Sequence, residues 1–165
     1  MFGGSFERIR KSVKSITLSA NNTTASMDVF AITGSVLIHG IWAEVTTLIG
    51  ANHTAGHLRT DDGTAQIVIT AAAGITLSAL AVGTLIVKEA LAASALTLLD
   101  NAAAKMEEPA SAGVLSLSPF IVVKKTGAGT HIEYRYTTTD APTSGVLKFH
   151  ALWEPLSDDG NLAAA

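Results

Sequence analysis

The apolar residues at the start of the chain recur with the period of a helix. Over residues 2–16 they are separated by steps of three and four, which places them on one stripe of an α-helix with basic residues on the opposite face. Because such a stripe needs a surface to cover it, residues 1–20 are predicted to form a short amphipathic arm. The arm either docks on its own domain or reaches a neighbouring subunit or an acidic surface. The residues expected to form this interface are Phe2, Phe6, Ile9, Arg10 and Val13.

The last third of the chain has the period of β-strands. Apolar residues alternate with polar ones over residues 131–137 and again over residues 147–153. This pattern predicts a half-buried antiparallel hairpin that ends at Pro155, since proline cannot donate to a β-ladder. Residues 158–165 are polar and alanine-rich, and they are predicted to form a tail with nothing to bury.

The middle of the chain mixes strand patterns with polar and ambiguous ones. β-branched and aromatic residues mark strands over residues 29–47. Residues 50–63 are polar and are predicted to form an exposed loop that ends in an Asp-Gly turn. Residues 74–100 fit short strands with a helical turn, and residues 101–113 fit a loop.

One uncharged run, at residues 63–87, is long enough for a membrane-spanning helix, which needs about 20 apolar residues. Its content argues against that interpretation, because it holds Gln66, Ser78, several threonines and three glycines. Alanine and threonine also gain little in lipid compared with leucine or phenylalanine. We therefore expect a buried β-rich segment and no membrane partner.

These patterns together predict the fold class. Short strands, turns of glycine, aspartate and proline, and few helical periods are typical of a mainly β fold. We predict an antiparallel β-sandwich or jelly-roll-like domain with a short N-terminal helical arm. The chain then divides into the arm at residues 1–20, a β-rich domain at residues 21–157 and a C-terminal tail at residues 158–165.

The composition of this chain favours a subunit of an assembly over a free enzyme. Only 15% of its 165 residues are charged, compared with about 25% in typical soluble domains. A weakly charged surface loses little free energy when it is desolvated against a neighbour. The formal net charge of −3 gives no field that would attract nucleic acid. The absence of cysteine excludes a disulfide framework and thiolate chemistry.

The residues with the most ligand character are His53, His57, Asp61 and Asp62. Two imidazoles four residues apart could hold a divalent metal if they lay on a helix, but Gly56 and the polar flanks favour a solvated loop. The sequence contains no Gly-x-Ser-x-Gly elbow, no phosphate-binding loop and no dinucleotide fingerprint. We therefore predict no catalytic residue, no cofactor and no metal, and a protein that is not an enzyme.

Three stretches resemble small virion proteins of tailed bacteriophages. They read ITGSVLIHGIWAEVTT at residues 32–47, ALAVGT at residues 79–84 and GVLKFHALWEPL at residues 145–156. Proteins of that kind that decorate capsids are typically β-rich and often trimeric, and they clamp neighbouring capsid subunits against the pressure of internal DNA. The resemblance implies a location in the virion, self-association as a homotrimer, and the major capsid protein or another virion protein as partner.

The function expected from this resemblance is capsid decoration and stabilisation, achieved by oligomerising and by binding the major capsid lattice. The amphipathic basic segment at the N-terminus departs from the more familiar decoration proteins. A tail, head-fibre or connector component is therefore the first alternative. The second is a carbohydrate- or metal-binding β-sandwich that uses residues 53–62 with a tryptophan or tyrosine as a stacking platform.

Overall fold

A computed structural model describes residues 9–18, 23–71, 76–88, 97–99, 119–138 and 145–165. All regular secondary structure in these ranges is β-strand. The strands are β1 (Arg10–Leu18), β2 (Thr24–Thr33), β3 (Ser35–Thr47), β4 (His53–Asp61), β5 (Gln66–Val68), β6 (Leu85–Val87), β7 (Thr97–Leu99), β8 (Phe120–Val123), β9 (Thr130–Thr138), β10 (Gly145–Pro155) and β11 (Asn161–Ala164).

The strands form two antiparallel sheets, which confirms the mainly β, sandwich-type prediction. The first, called sheet one, has the order β1-β10-β3-β6-β7. The short strand β8 pairs with β3 on the side away from β10, so it shares that edge of β3 with β6. The second, called sheet two, has the order β11-β2-β9-β4-β5. Every pair of neighbouring strands is antiparallel.

The core lies between the two sheets and consists of the apolar residues that alternate along the long strands. Strand β9 supplies Ile132, Tyr134 and Tyr136, each at most 1% exposed. Strand β10 supplies Leu147, Phe149 and others from the opposite sheet. The ring centroids of Tyr134 and Phe149 lie 5.1 Å apart across the core. Burial of these faces is the main force that holds the sheets together.

The structure corrects the hairpin predicted from β9 and β10. Strand β9 pairs with β2 and β4 in sheet two, whereas β10 pairs with β1 and β3 in sheet one. The alternation predicted for both strands is confirmed, but the two strands belong to different sheets. Their apolar faces therefore meet across the core instead of lying side by side, an outcome that alternation alone does not distinguish.

The predicted N-terminal helix is also wrong for residues 10–18. Residues 10–18 form β1, which pairs with β10 from Arg10 opposite Trp153 to Leu18 opposite Gly145. The β-branched residues of this segment suit a strand, and nine consecutive long-range pairs outweigh its helical periodicity. Residues 1–8 lie outside the described ranges.

The polar segment at residues 50–63 is mostly a strand, contrary to the predicted loop. It contains β4, which lies between β9 and β5. The pattern is interrupted by a bulge between Thr54 and His57, where Ala55 has a φ of 55°. An extra residue in the strand shifts the alternation and hides it from a period-two search. The Asp-Gly turn is confirmed, since Gly63 has a φ of 78° and Asp62 accepts N–H bonds from Thr64 and Ala65.

The C-terminal segment packs against the domain, so the expectation that it has nothing to bury is wrong. Strand β11 pairs with β2, and Leu162 is 1% exposed. Within residues 74–100, the prediction of short strands is confirmed by β6 and β7. Residues 101–113 lie outside the described ranges.

Candidate assembly surface

The outward face of sheet one is unusually apolar for the solvent side of an antiparallel sheet. Such a face is ordinarily polar, because only the inner face packs on the core. Here the burial pattern and the pairing register place apolar side chains at about half of the outward positions. They are Val13, Leu37, Trp42, Leu85, Val87, Ile121, Val123, Val146, Leu152 and Leu156.

Sheet two provides the contrast within the same molecule. Its outward positions are mostly polar or charged: Thr24, Ser26, Asp28, Thr33, His57, Arg59, Asp61, Gln66, His131, Glu133, Arg135 and Thr137. Many of these side chains interact with one another, as Arg59 does with Glu133 at 2.7 Å. The difference between the two faces shows that the apolar surface of sheet one does not follow from composition alone.

The most exposed part of the apolar face lies at one end of sheet one. Ile121 and Val123 on β8 are 61% and 62% exposed, and Leu156 is 48% exposed. Leu37 lies directly opposite Ile121 in the β3 to β8 register. Neighbouring strands are about 4.8 Å apart, so these side chains form one continuous patch. Continuous patches of exposed apolar side chains are typical of protein interaction sites.

The centre of the face holds an aromatic pair beside a shallow notch. The rings of Trp42 and His150 stack with centroids 5.1 Å apart and planes 13° from parallel. The Lys11 ammonium lies 5.8 Å from the centre of the Trp42 ring, within cation–π range. Two residues before Trp42, Gly40 faces open space, since a Cβ added there would meet no atom within 4 Å. The face therefore has a ridge and a hollow side by side.

His150 is buried on this face beside two basic side chains. Burial, together with the charges of Lys11 and Lys148, lowers its pKa below the ordinary value of 6.5, and Glu44 opposes this shift. Its Nδ1 has no hydrogen-bond partner in the part of the chain that the structure describes. The unfolded chain binds a proton at this histidine more readily than the folded chain does.

Stability is therefore expected to fall as the pH is lowered from about 6.5, because protonation of His150 favours the unfolded state. The His150→Phe variant keeps a ring against Trp42 and removes the titrating group. In urea denaturation at pH 7 and pH 5, we expect a smaller decrease in unfolding free energy for this variant than for the wild type. Equal decreases would show that His150 is not the acid-sensitive group.

The interface residues predicted from sequence fall only partly on this face. Ile9 is 56% exposed just before β1, and Val13 points outward from β1. Arg10 instead lies over the Trp153 ring at 5.3 Å. Phe2 and Phe6 lie outside the described ranges. The strand predicted at residues 120–124 is confirmed as β8, but the sequence did not assign β8 or the outward residues of β3 to an interface. A signal was present, because every residue of Phe120–Val123 is apolar, which is typical of a strand covered on both faces.

The residues of the ligand-binding alternative are not brought together. His53 is fully buried and its ring lies 5.6 Å from that of Tyr136, tilted by 33°, whereas His57 is on the outward side of the β4 bulge. Both tyrosines are buried in the core, and Trp42 lies on the other sheet. Within the described ranges, no group of three His, Asp or Glu side chains is arranged to hold a metal ion.

An open cleft of about 550 Å³ on sheet two gathers several acidic residues. Its lining includes Asp28, Asp61, Asp62, His131 and Glu133. Most of these carboxylates already face a basic group, as Asp62 does with Lys125 at 3.3 Å and Asp28 with His131 at 3.8 Å. The carboxylates of the cleft are thus engaged by Arg59, Lys125 and His131 of the same chain.

Comparison of the chain with protein-family models, curated proteins and solved structures finds no match. Where the structure is described, no helix has the length and apolar character needed to cross a membrane.

Proposed function

We propose that this chain is a virion structural protein of a tailed bacteriophage that decorates and stabilises the capsid. It does so by associating with its own copies and by binding the major capsid lattice. The observation that carries the proposal is the apolar outward face of sheet one, on a sandwich whose other face is polar. A surface of this kind gains free energy when a protein neighbour covers it.

The strand order supports a jelly roll, which is the finer form of the fold that we propose. Sheet one contains four neighbouring strands in the order β1-β10-β3-β6. Without the edge strand β11, sheet two has the order β2-β9-β4-β5. This is the order produced by two nested Greek keys, which defines the jelly roll of viral capsid and lectin domains. The fold alone does not assign a function, and the proposed function therefore depends on the apolar face of sheet one.

Two separate surfaces serve the two kinds of contact in this proposal. The sheet-one face contacts other copies of the chain. The N-terminal segment with Phe2, Phe6 and Ile9 contacts the shell, and Ile9 is exposed where this segment enters β1. Many copies, each bound weakly, then hold the shell strongly, because linked contacts reinforce one another.

Binding to empty capsids of tailed phages tests the proposal. We expect the purified full-length chain to co-sediment with the heads in a saturable manner and to raise the temperature at which the shell opens. The paired substitution Phe2→Asp and Phe6→Asp should weaken binding by about tenfold or more, since truncated apolar anchors cost at least about 1.4 kcal/mol.

The matched control for this experiment is Ile67→Asp. Ile67 is 69% exposed on β5 in sheet two, so its substitution adds a carboxylate to an unrelated surface and should leave shell binding unchanged. No binding to heads would refute capsid decoration. Binding to isolated tails alone would assign the protein to the tail.

A further inference from the structure

We infer that the outward face of sheet one packs against the same face of a second copy of this chain, about a two-fold axis in the plane of the contact. This inference rests on the proposed function and identifies the self-association surface. The partner is a second copy because the face has the area of a stable dimer contact, and because a two-fold axis places a large side chain against its central notch and Lys148 against a carboxylate.

The area of the face suits a stable dimer. The face spans four strand positions, namely β1, β10, β3 and the edge shared by β6 and β8. At about 4.8 Å per strand, and with β10 extending roughly 37 Å, it covers on the order of 700 Å². A standard protein interface buries about 800 Å² per partner. A docked peptide or a single loop would leave much of such a face uncovered.

The pairing register arranges the outward residues in rows across the strands. One row contains Val13, His150, Trp42 and Val87, and the next contains Lys11, Leu152 and Gly40. On either side lie a row with Lys148, Glu44 and Leu85, and a row with Glu154, Leu37 and Ile121. The notch at Gly40 is therefore near the centre of the face, and charged residues lie on both sides of it.

Two copies related by a two-fold axis place complementary groups opposite each other. If the axis runs across the strands, Trp42 of one copy faces the Gly40 notch of the other, and Lys148 faces Glu154. If the axis runs along the strands, Leu152 faces the notch and Lys148 faces Glu44. In both cases a large side chain fills the notch and Lys148 meets a carboxylate, as expected for an isologous contact.

The apolar patch extends this complementarity to the ends of the face. With the axis across the strands, Leu85 faces Ile121 and Val146 faces Leu156. Face-to-face sheets pack about 10 Å apart with interdigitated side chains, which accommodates residues of this size. The contact would bury the most exposed apolar side chains of sheet one, and it leaves the polar face of sheet two in solvent.

The mass of the full-length chain in solution, measured by light scattering over a dilution series, tests this contact. We expect a dimer for the wild type, in place of the homotrimer that the resemblance to virion proteins implies. Gly40→Lys should weaken dimerisation by at least about a hundredfold, because it places two like charges at the centre of the contact. Its fold should be retained, since a Cβ at this position meets nothing within 4 Å.

Two further variants keep this test decisive. Thr137→Lys adds the same charge to the outward face of sheet two and should remain a dimer. Ile121→Glu, at a position 61% exposed, replaces Gly40→Lys if circular dichroism shows that the latter has lost its fold.

The outcomes also separate this inference from the proposed function. A wild-type monomer or trimer, or a dimer that persists in variants with charge on sheet one, would overturn the two-fold contact. Shell binding would still be judged by its own assay. A monomer that binds heads and loses that binding in Gly40→Lys would show that sheet one contacts the shell rather than a second copy.

Discussion

Replacing Trp153 with alanine is expected to lower the unfolding free energy by about 3–5 kcal/mol, the range found when large aromatic side chains are removed from a core. Trp153 is 2% exposed on the inner face of β10. Its Nε1 donates to Ser12 Oγ at 2.9 Å, and the Ser12 hydroxyl donates to the carbonyl of Leu162. The indole thus connects two strands of sheet one to β11 of sheet two. Its removal both opens a cavity and breaks this connection.

Urea denaturation at fixed protein concentration measures this loss, because association also contributes to apparent stability. Trp153→Phe is the matched control. It retains a ring in the core but loses the N–H donor and part of the indole volume. The lost hydrogen bond should cost about 1 kcal/mol in addition to the effect of the smaller ring. If Trp153→Ala were no less stable than Trp153→Phe, the ring would not be a core element, and the packing described for β10 would be wrong.

The alternating strands were predictable because their side chains follow a local rule. In β9, Ile132, Tyr134 and Tyr136 point inward while Glu133 and Arg135 point outward. A period of two identifies such a strand whatever its neighbours are. It does not say which strands are neighbours, which is why β9 and β10 were predicted as a hairpin. Sheet membership depends on contacts between residues distant in sequence.

Strands β1 and β4 were missed because the structure overrides local signals. In β1, the spacing of Ile9, Val13 and Ile16 fits an α-helix, but pairing with β10 makes the segment a β-strand. In β4, the bulge at Ala55 places His53 inside and His57 outside. A sequence pattern cannot separate a bulged central strand from a polar loop.

The candidate assembly surface was only partly predictable, for a related reason. Composition indicated a surface suited to association, but it did not locate that surface. The sequence does not distinguish Leu37, Ile121 and Leu156 from apolar residues of the core. Only the pairing of β3 with β8 and β10 places them on one outward patch. The self-complementarity of the face around Gly40 likewise exists only after the register has aligned the rows.

The second large effect is expected on sheet two, where Arg59→Leu should lower the unfolding free energy by about 3 kcal/mol. Arg59 is 6% exposed on β4. Its Nε and Nη2 both donate to Glu133 Oε2, at 2.8 Å and 2.7 Å. The same guanidinium donates to Gln66 Oε1 and, at 3.1 Å, to Ser26 Oγ. One side chain therefore holds β2, β4, β5 and β9 together, and its loss leaves Glu133 without its main counter-charge.

The double variant Arg59→Leu with Glu133→Leu separates the cost of an unpaired charge from the value of the pair. Replacing a buried ion pair by apolar groups is often nearly neutral, whereas removing one partner is costly. We therefore expect the double variant to be more stable than Arg59→Leu alone when both are compared by urea denaturation at pH 7. If the two effects simply add, Glu133 is adequately solvated without Arg59. The network would then stabilise sheet two through the hydrogen bonds to Ser26 and Gln66 instead of through charge.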